Sequence, residues 1–476
     1  MQPSFDVRAP AFRAMFREYD LRGRVAEEEL SDGSVRLIAN AFGRLLAARG
    51  MSRAVVGYDN RPVSPGFKEA AVDGLTAAGI DVVDIGLTIS PALYFSQHHL
   101  GVPAGLMVTA SHNPSEWCGM KLAHGLSRTL GPAEMRELYA LVTEGERGGG
   151  RAGTRTAADT RDAYLDRVTA GTALARPLRV AVDCGNGAAG VFAYEALQRI
   201  GCLTFQLYCD PDDRYPHYFP NPSDLKARRR LREIVTHPYI RADAGLAFDG
   251  DGDRIGVMDE RGADVWSDRV LILLARRLLR ERPGATVVYD VKCTRGLEEA
   301  VRDGGGRPVM WKTGHSHIKA KLHELNAELA GERSGHIFYG AGFYGFDDAL
   351  YAGIRLLEVL ADHDGCLSGL VATTPPYLTS PEIAAHCPDD VKYAVVDRLV
   401  AEFKADYGDR VIDINGARVD FGDGWGLVRA SSNLPELVII FEARTEQRLR
   451  EIRALFRARL DACPEIDPQW RNDTYA

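Results

Sequence analysis

The sequence predicts an α/β protein with three similar α/β domains, each built on a mixed, largely parallel sheet, and a C-terminal α+β domain. Three observations predict it. A unit of strand, polar turn carrying an Asp, helix, Gly and second strand occurs three times. Glycine-rich and proline-rich separators fall between the units, and the sequence pattern changes after the last one. The 476 residues exceed what one hydrophobic core holds and suit about three or four domains of ordinary size.

The first copy opens with a strand over residues 54–59. Ser64 as N-cap and Pro65 at the first helical position start its helix. Phe67, Ala71, Leu75 and Ala78 space an apolar face, Gly79 stops it, and 80–85 is the second strand. The second copy has a strand over 179–183, a glycine-rich turn and a helix through Ala196 and Ile200. Gly201 and a strand over 203–208 complete it. The third has a strand over 286–290, Thr294 as cap, a helix through Leu297 and Val301, then Gly304 to Gly306 and a strand over 308–311.

The charged, glycine-rich stretch 144–156 reads as a linker. The proline-rich stretch 373–381 closes the third unit. Beyond it, 391–403 and 446–460 read as helices, and 411–419, 426–430 and 437–443 as antiparallel strands. The expected domains are 1–153, 154–260, 261–374 and 375–476.

Composition narrows the class. Hydrophobic residues make up 45% and charged residues 26%, an ordinary globular balance. A net charge of −8 lacks the basic excess of a nucleic-acid or anionic-membrane binder. The eight cysteines, 118, 184, 202, 209, 293, 366, 387 and 463, form no C-x-x-C pair. Reduced thiols in a cytoplasm are therefore expected rather than a disulfide or zinc framework. The N-terminus has no apolar core of signal-peptide length, and no run of about 18 apolar residues occurs. A cytoplasmic protein is expected.

Asp249-Gly250-Asp251-Gly252-Asp253-Arg254 is the strongest local signal. It lies between apolar strands over 244–248 and 255–258. The alternating glycines permit a tight path on which three carboxylates converge, a donor set suited to a hard cation such as Mg²⁺. Asp249, Asp251, Asp253 and Glu260 also match EF-hand positions. However, Arg254 stands where that loop requires Gly, and strands rather than helices flank it.

Ser111 ends the apolar run 106–108 inside Thr109-Ala110-Ser111-His112-Asn113-Pro114. Alone it reads as a turn former, His112 as a turn or core histidine, and Lys121 as a surface lysine. Gly331-Glu332-Arg333-Ser334-Gly335-His336 is a polar loop able to bond sugar hydroxyls, or a hairpin turn. Arg429-Ala430-Ser431-Ser432-Asn433 is an oxyanion cradle or a strand-end loop. Residues 16–23, with Tyr19 and Arg22, read as a solvated loop.

Together these stretches resemble the α-D-phosphohexomutase superfamily, in its bacterial phosphomannomutase/phosphoglucomutase branch. The likeness runs in family order through REYDLRG from Arg17, GYDNR from Gly57, TASHNP from Thr109 and GMK from Gly119. It continues through VDCGNGAAG from Val182, DGDGDR from Asp249, DVKCT from Asp290 and KTGHSHIK from Lys312. GERSGH from Gly331, YGFDD from Tyr344 and GLVRASSNLP from Gly426 complete it.

The resemblance implies four domains arranged around a central cleft and exchange of phosphate between C1 and C6 of a hexose. It implies that Ser111 is a phosphoserine, and that Asp249, Asp251 and Asp253 hold one Mg²⁺ with it. A hexose 1,6-bisphosphate is the implied intermediate and activator. Lys121, His336 and Arg22 are implied for proton handling, since a Lys beside a cation cluster can have its pKa lowered. Arg254 is implied at the phosphoryl group, and Glu332 and Ser334 on sugar hydroxyls. Arg429, Ser431, Ser432 and Asn433 are implied on the non-reacting phosphate, and Tyr19, Lys292 and His315 elsewhere in the site.

The implied partners are small sugar phosphates, with no nucleic acid and no membrane, in a monomer or homodimer. The sugar loop resembles the glucose/mannose type, with phosphoglucosamine mutase as the alternative. A metal-dependent sugar phosphatase and a non-catalytic sugar-phosphate sensor are the readings from other classes. Two positions depart from the family pattern. Cys118 stands where the family usually has Asn, so this turn is expected to pack differently. Ser432-Asn433 stands where the phosphate loop commonly reads Asn-Thr.

Overall fold

A computed structural model describes residues 5–148, 150–224, 227–432 and 434–472. The chain divides into two compact units, Met1–Val270 with Ser334–Leu370, and Leu271–Arg333 with Val371–Ala476.

The first unit holds two mixed sheets. One runs in the order Leu21–Arg24, Trp117–His124, Ala104–Val108, Arg53–Tyr58, Asp81–Leu87, Arg155–Ala157. Its middle strands are parallel, and Trp117–His124 and Leu21–Arg24 add antiparallel to one side. Ala104–Val108 is buried along its whole length, which is why it reads as an unbroken apolar run. Helices Asp32–Ala48 and Ser64–Ala77 cover the sheet through Ile38, Phe42, Leu45 and Leu75, which pack with Val56 and Leu106.

The second sheet runs Asp264–Val265, Ile255–Asp259, Ala244–Phe248, Arg179–Asp183, Leu203–Leu207. Ala244–Phe248 pairs parallel with Arg179–Asp183 and antiparallel with Ile255–Asp259. Phe248 faces Ile255 across that ladder. The acidic motif is therefore the loop of a hairpin whose two strands are both buried.

The second unit carries parallel strands Arg307–Trp311, Thr286–Asp290 and Leu329–Gly331, with helices Arg295–Asp303 and His315–Leu325. Thr294 caps the first helix by accepting from Gly296 N at 3.1 Å, as its sequence position implies. An antiparallel sheet follows, in the order Leu378–Thr379, Glu436–Ala443, Gly424–Ala430, Ala417–Asp420, Val411–Ile412, with Ile383–His386 also on Glu436–Ala443. Helices Lys392–Tyr407 and Glu446–Leu460 cover one face through Phe403 and Phe456, whose ring centroids are 4.5 Å apart. Gly426 permits this approach: a Cβ there would lie 2.3 Å from the Phe456 ring.

Four local expectations are corrected. Ser64 is not the N-cap but the first helical residue after Val63, and its hydroxyl donates to Asp59 Oδ1 at 2.5 Å. The stretch 144–156 is not all linker. Arg155–Ala157 begins inside it and pairs parallel with Asp81–Leu87 at the sheet edge, anchored by Thr154 N on Asp81 Oδ1 at 2.7 Å. The second copy's helix is shorter than expected, a 3₁₀ turn Ala188–Val191 and then Ala193–Arg199. The strand expected over 411–419 is two short strands joined by a turn with Gly416 at φ 86°. Among the described residues no helix is long and apolar enough to cross a membrane.

Candidate active site

Ser111 follows the end of Ala104–Val108 and is 2% exposed. Its φ is 50°, a left-handed conformation that costs a non-glycine residue roughly 1–2 kcal/mol. The surroundings hold it there. Ser111 N donates to Thr109 Oγ1 at 2.9 Å. The hydroxyl donates to Asp249 Oδ2 at 2.6 Å and lies 3.1 Å from His112 Nδ1. Burial, together with the positive charges of Arg254 and Arg22, pushes the His112 pKa well below the usual histidine value, so this ring is neutral.

The acidic hairpin brings Asp249, Asp251 and Asp253 together, each at most 1% exposed, with one ligand atom of each within 4.8 Å of the others. Two glycines make the path possible. A Cβ on Gly250 would lie 2.7 Å from the Ser111 carbonyl oxygen, and Gly252 takes φ 71°. Asp249 Oδ1 accepts from Asp253 N at 3.0 Å and Arg254 N at 3.1 Å. Among the described residues no hydrogen-bond donor reaches the buried Asp251 Oδ1 or Asp253 Oδ1. Burial, then repulsion from Asp253 and Asp251, holds the Asp249 carboxyl well above the usual carboxylate range. Clustered hard oxygens, two of them without a donor, fit a hard divalent cation.

Cationic and imidazole groups surround the triad. Lys121 Nζ donates to Asp251 Oδ2 at 2.6 Å, to Asp253 Oδ2 and to Ser90 Oγ at 3.2 Å. The expectation of a lowered Lys121 pKa is reversed. Burial pulls it down, but the Asp251 and Asp253 carboxylates outweigh burial and hold it well above the ordinary lysine value. Arg22 Nε donates to Asp20 Oδ2 at 2.9 Å. Burial pulls its pKa down, but Asp20 first, then Asp251 and Asp253, outweigh burial and keep it raised.

His336 is 2% exposed, with Nδ1 2.9 Å from Asp347 Oδ2 and 3.6 Å from Asp253 Oδ1. Arg254 Nε donates to His336 Nε2 at 2.9 Å, so Nε2 is the accepting nitrogen of the ring. Tyr19 is buried on the turn before Leu21–Arg24, and Ser334 is half-buried two residues before His336.

The second unit gathers another group. Glu332 Oε1 accepts from Gly314 N at 2.8 Å, which places it against the start of helix His315–Leu325, where His315 is buried. Lys292 Nζ donates to Glu382 Oε1 at 2.8 Å. Arg333 N donates to Asp290 Oδ1 at 3.2 Å, and its guanidinium to Ser380 O at 2.8 Å. Arg429 Nε donates to Asn415 Oδ1 at 2.9 Å. Ser431 Oγ accepts from Leu434 N at 3.2 Å, and Ser432 is half-buried beside it. Asn433 lies outside the described residues.

Cys118 packs in the apolar core beside Met120 and Leu122, on the strand paired with Gly23. Burial pushes its thiol up to about 11, so this departure from the family pattern is a core residue. Sequence reasoning missed Arg61, Asp59, Asp347, Asn415 and Glu382. GYDNR and YGFDD contain the first three, but a motif string does not say which side chain meets which.

Family models of phosphoglucomutase/phosphomannomutase match in order: alpha/beta/alpha domain I over residues 13–148, domain II over 162–262, domain III over 266–377 and the C-terminal domain over 382–459. A phosphomannomutase/phosphoglucomutase of Pseudomonas aeruginosa is 38% identical over 459 residues, 96% of this chain and 97% of that protein. A phosphoglucomutase of Neisseria meningitidis is 37% identical over 456 residues, 95% and 98% of the two chains. The crystal structure of a phosphoglucomutase/phosphomannomutase family protein from Burkholderia thailandensis superimposes with a TM-score of 0.88 at 38% identity. That match covers 96% of this chain and 99% of the other. With all four family domains present in order and near full-length likeness to bacterial relatives, the chain belongs to the bacterial branch of the phosphoglucomutase/phosphomannomutase family.

Proposed function

We propose that the protein is a phosphohexomutase that interconverts hexose 1-phosphate and hexose 6-phosphate, of glucose, mannose or both, with Ser111 as the phosphoryl carrier. The observation that carries this reading is the 2.6 Å contact between Ser111 Oγ and Asp249 Oδ2. It sets a rigid, buried hydroxyl against three carboxylates, where a phosphoryl group and a divalent cation balance one another's charge. The sugar hydroxyl attacks the phosphorus, the bond from phosphorus to Ser111 Oγ breaks, and hexose 1,6-bisphosphate forms. That intermediate turns end for end and returns its other phosphate to Ser111.

The donor set fits Mg²⁺ on Asp249, Asp251, Asp253 and a Ser111 oxygen; when bound, the ion neutralises phosphoryl charge and polarises the phosphoryl oxygen. Lys121, positively charged in its carboxylate pocket, offsets the excess negative charge, and Arg22 and Arg254 act with it. His336, held between Arg254 and Asp347, is placed to move a proton. Glu332 and Ser334 take sugar hydroxyls, and Arg429, Ser431, Ser432 and Asn433 the non-reacting phosphate. Tyr19, Lys292 and His315 complete the set. The working domains are 1–153, 154–260, 261–374 and 375–476. The substrates are small sugar phosphates met in the cytoplasm, by a monomer or homodimer.

The names of the relatives favour glucose and mannose over glucosamine. A phosphatase would leave phosphate in solution, whereas a mutase excludes water from the phosphoserine. The test is direct. After incubation with glucose 1,6-bisphosphate, mass spectrometry is expected to find phosphate on Ser111. Ser111→Ala is expected to lose transfer while still binding sugar phosphate. Full transfer by Ser111→Ala, or phosphate release faster than isomerisation, overturns the reading.

A further inference from the structure

The buried pair Asp59 and Arg61, in the loop after strand Arg53–Tyr58, grips both backbone groups of Ser111. Arg61 is 1% exposed, and all five of its guanidinium N–H groups are used. Nε donates to Asp59 Oδ2 at 3.2 Å. Nη2 donates to the carbonyls of Ser111 at 2.9 Å and Asn113 at 2.6 Å, and Nη1 to those of Pro114 and Trp117, both at 2.8 Å. The Phe219 ring closes the guanidinium from below, with its centroid 4.5 Å away. Three carbonyls of the Ser111 loop and that of Trp117, which begins the next strand, thus converge on a single cation.

Asp59 reaches Ser111 from the other side. Its Oδ2 accepts from Thr109 Oγ1 at 2.7 Å, and that same oxygen of Thr109 accepts from Ser111 N at 2.9 Å. Asp59 Oδ1 accepts from Arg61 N at 3.1 Å and Ser64 Oγ at 2.5 Å, so the carboxylate is itself fully held. The amide of Ser111 is tied through Thr109 to Asp59, and its carbonyl directly to Arg61. Between them these bonds fix the two dihedrals that set the left-handed conformation and aim the hydroxyl at Asp249.

We propose that Asp59 and Arg61 are positioning residues for phosphoryl transfer, a clamp that preorganises Ser111 without touching substrate. The inference rests on the assignment of Ser111 as the phosphoryl carrier. The clamp gathers the negative ends of four carbonyl dipoles onto Arg61, away from an oxygen that must carry an anionic group. A loop held this way does not reorganise during transfer. Loss of the clamp misplaces the reacting atom and lowers turnover rather than substrate affinity.

The test compares the parent chain with Arg61→Ala and Thr109→Val in the mutase assay at saturating Mg²⁺. Folding is checked by circular dichroism and thermal unfolding, and rates are normalised to folded protein. Arg61→Ala is expected to lose roughly 100-fold in kcat with KM changed less than about threefold. Added guanidinium ion is expected to restore about a tenth of the lost rate by filling the vacated site. Thr109→Val removes only the amide arm and keeps the side-chain shape; it is expected to lose about tenfold in kcat at unchanged KM. Folded variants with the parental kcat, or a Thr109→Val effect confined to KM, overturn the inference. If Arg61→Ala does not fold, Thr109→Val decides alone. A parent chain that shows no transfer overturns the mutase reading instead, which separates the two failures.

Discussion

Lys121 Nζ lies 2.6 Å from Asp251 Oδ2, so a proton-handling candidate and a metal-ligand candidate share one contact. An ammonium on two carboxylates competes with any cation that those carboxylates bind. At about 5 Å and an effective dielectric constant of about 20, one unit charge alters the cation's energy by roughly 3 kcal/mol. Lys121→Met is therefore expected to bind Mg²⁺ at least about tenfold more tightly, while kcat falls by about 100-fold or more. The check is the thermal shift on adding Mg²⁺, which should be larger in Lys121→Met than in the parent. EDTA should halt the parent's turnover and added Mg²⁺ restore it. Equal thermal shifts would show that Lys121 and the cation do not compete.

The His336 ring is oriented by two contacts of opposite sense. Arg254 donates to Nε2 at 2.9 Å, and Asp347 faces Nδ1 at 2.9 Å. Asp347→Asn keeps the shape and an acceptor oxygen but removes the carboxylate charge that faces Nδ1. It is expected to lower kcat at least about tenfold with KM little changed. An unchanged kcat would remove Asp347 from the mechanism.

How much of this was readable beforehand depends on whether a side chain's partner lies nearby in sequence. The acidic hairpin was legible because alternating Asp and Gly between two apolar runs leaves few other structures open to it. Ser111 was legible only in combination, since a serine after a buried strand is ordinarily a turn former. Arg61 was invisible. Its function consists of four carbonyls 50 to 56 residues away, and carbonyls have no letter in a sequence. The pKa direction of Lys121 was not legible, because its partners Asp251 and Asp253 arrive from the second sheet. Arg155–Ala157 was hidden in a polar stretch because an exposed edge strand needs backbone pairing and no apolar pattern.

Arg429 in the second unit is aimed by Asn415, whose Oδ1 also accepts from Thr313 N at 3.3 Å. A guanidinium fixed at Nε presents its remaining N–H groups as a fork suited to a phosphate. Arg429→Lys keeps the charge and loses the fork. It is expected to raise KM for glucose 1-phosphate at least about tenfold, with kcat within about threefold. Asn415→Ala should shift KM in the same direction by less. A kcat defect without a KM change would place Arg429 at the chemistry rather than at binding.

Asp348, next to Asp347, caps helix Ala349–Ala361 by accepting from Tyr351 N at 2.9 Å, and it accepts from Tyr164 Oη at 3.1 and 3.0 Å. Burial raises its carboxyl from the usual 3.8 to about 7, although the bonds from Tyr351 N and Tyr164 oppose the rise. Below about 4 the folded and unfolded chains both hold this proton, and the group costs nothing. Between about 4 and 7 only the folded chain holds it, so each rise in pH favours unfolding. Above about 7 the penalty is complete, at most roughly 4 kcal/mol. The parent's melting temperature should therefore decline from pH 5 to pH 8 through this group. Asp348→Asn retains the cap and an acceptor for Tyr164 but has no proton to lose, so its decline should be shallower and the two curves should diverge with rising pH. Parallel curves over that range would mean that Asp348 is ionised at no cost in the folded protein.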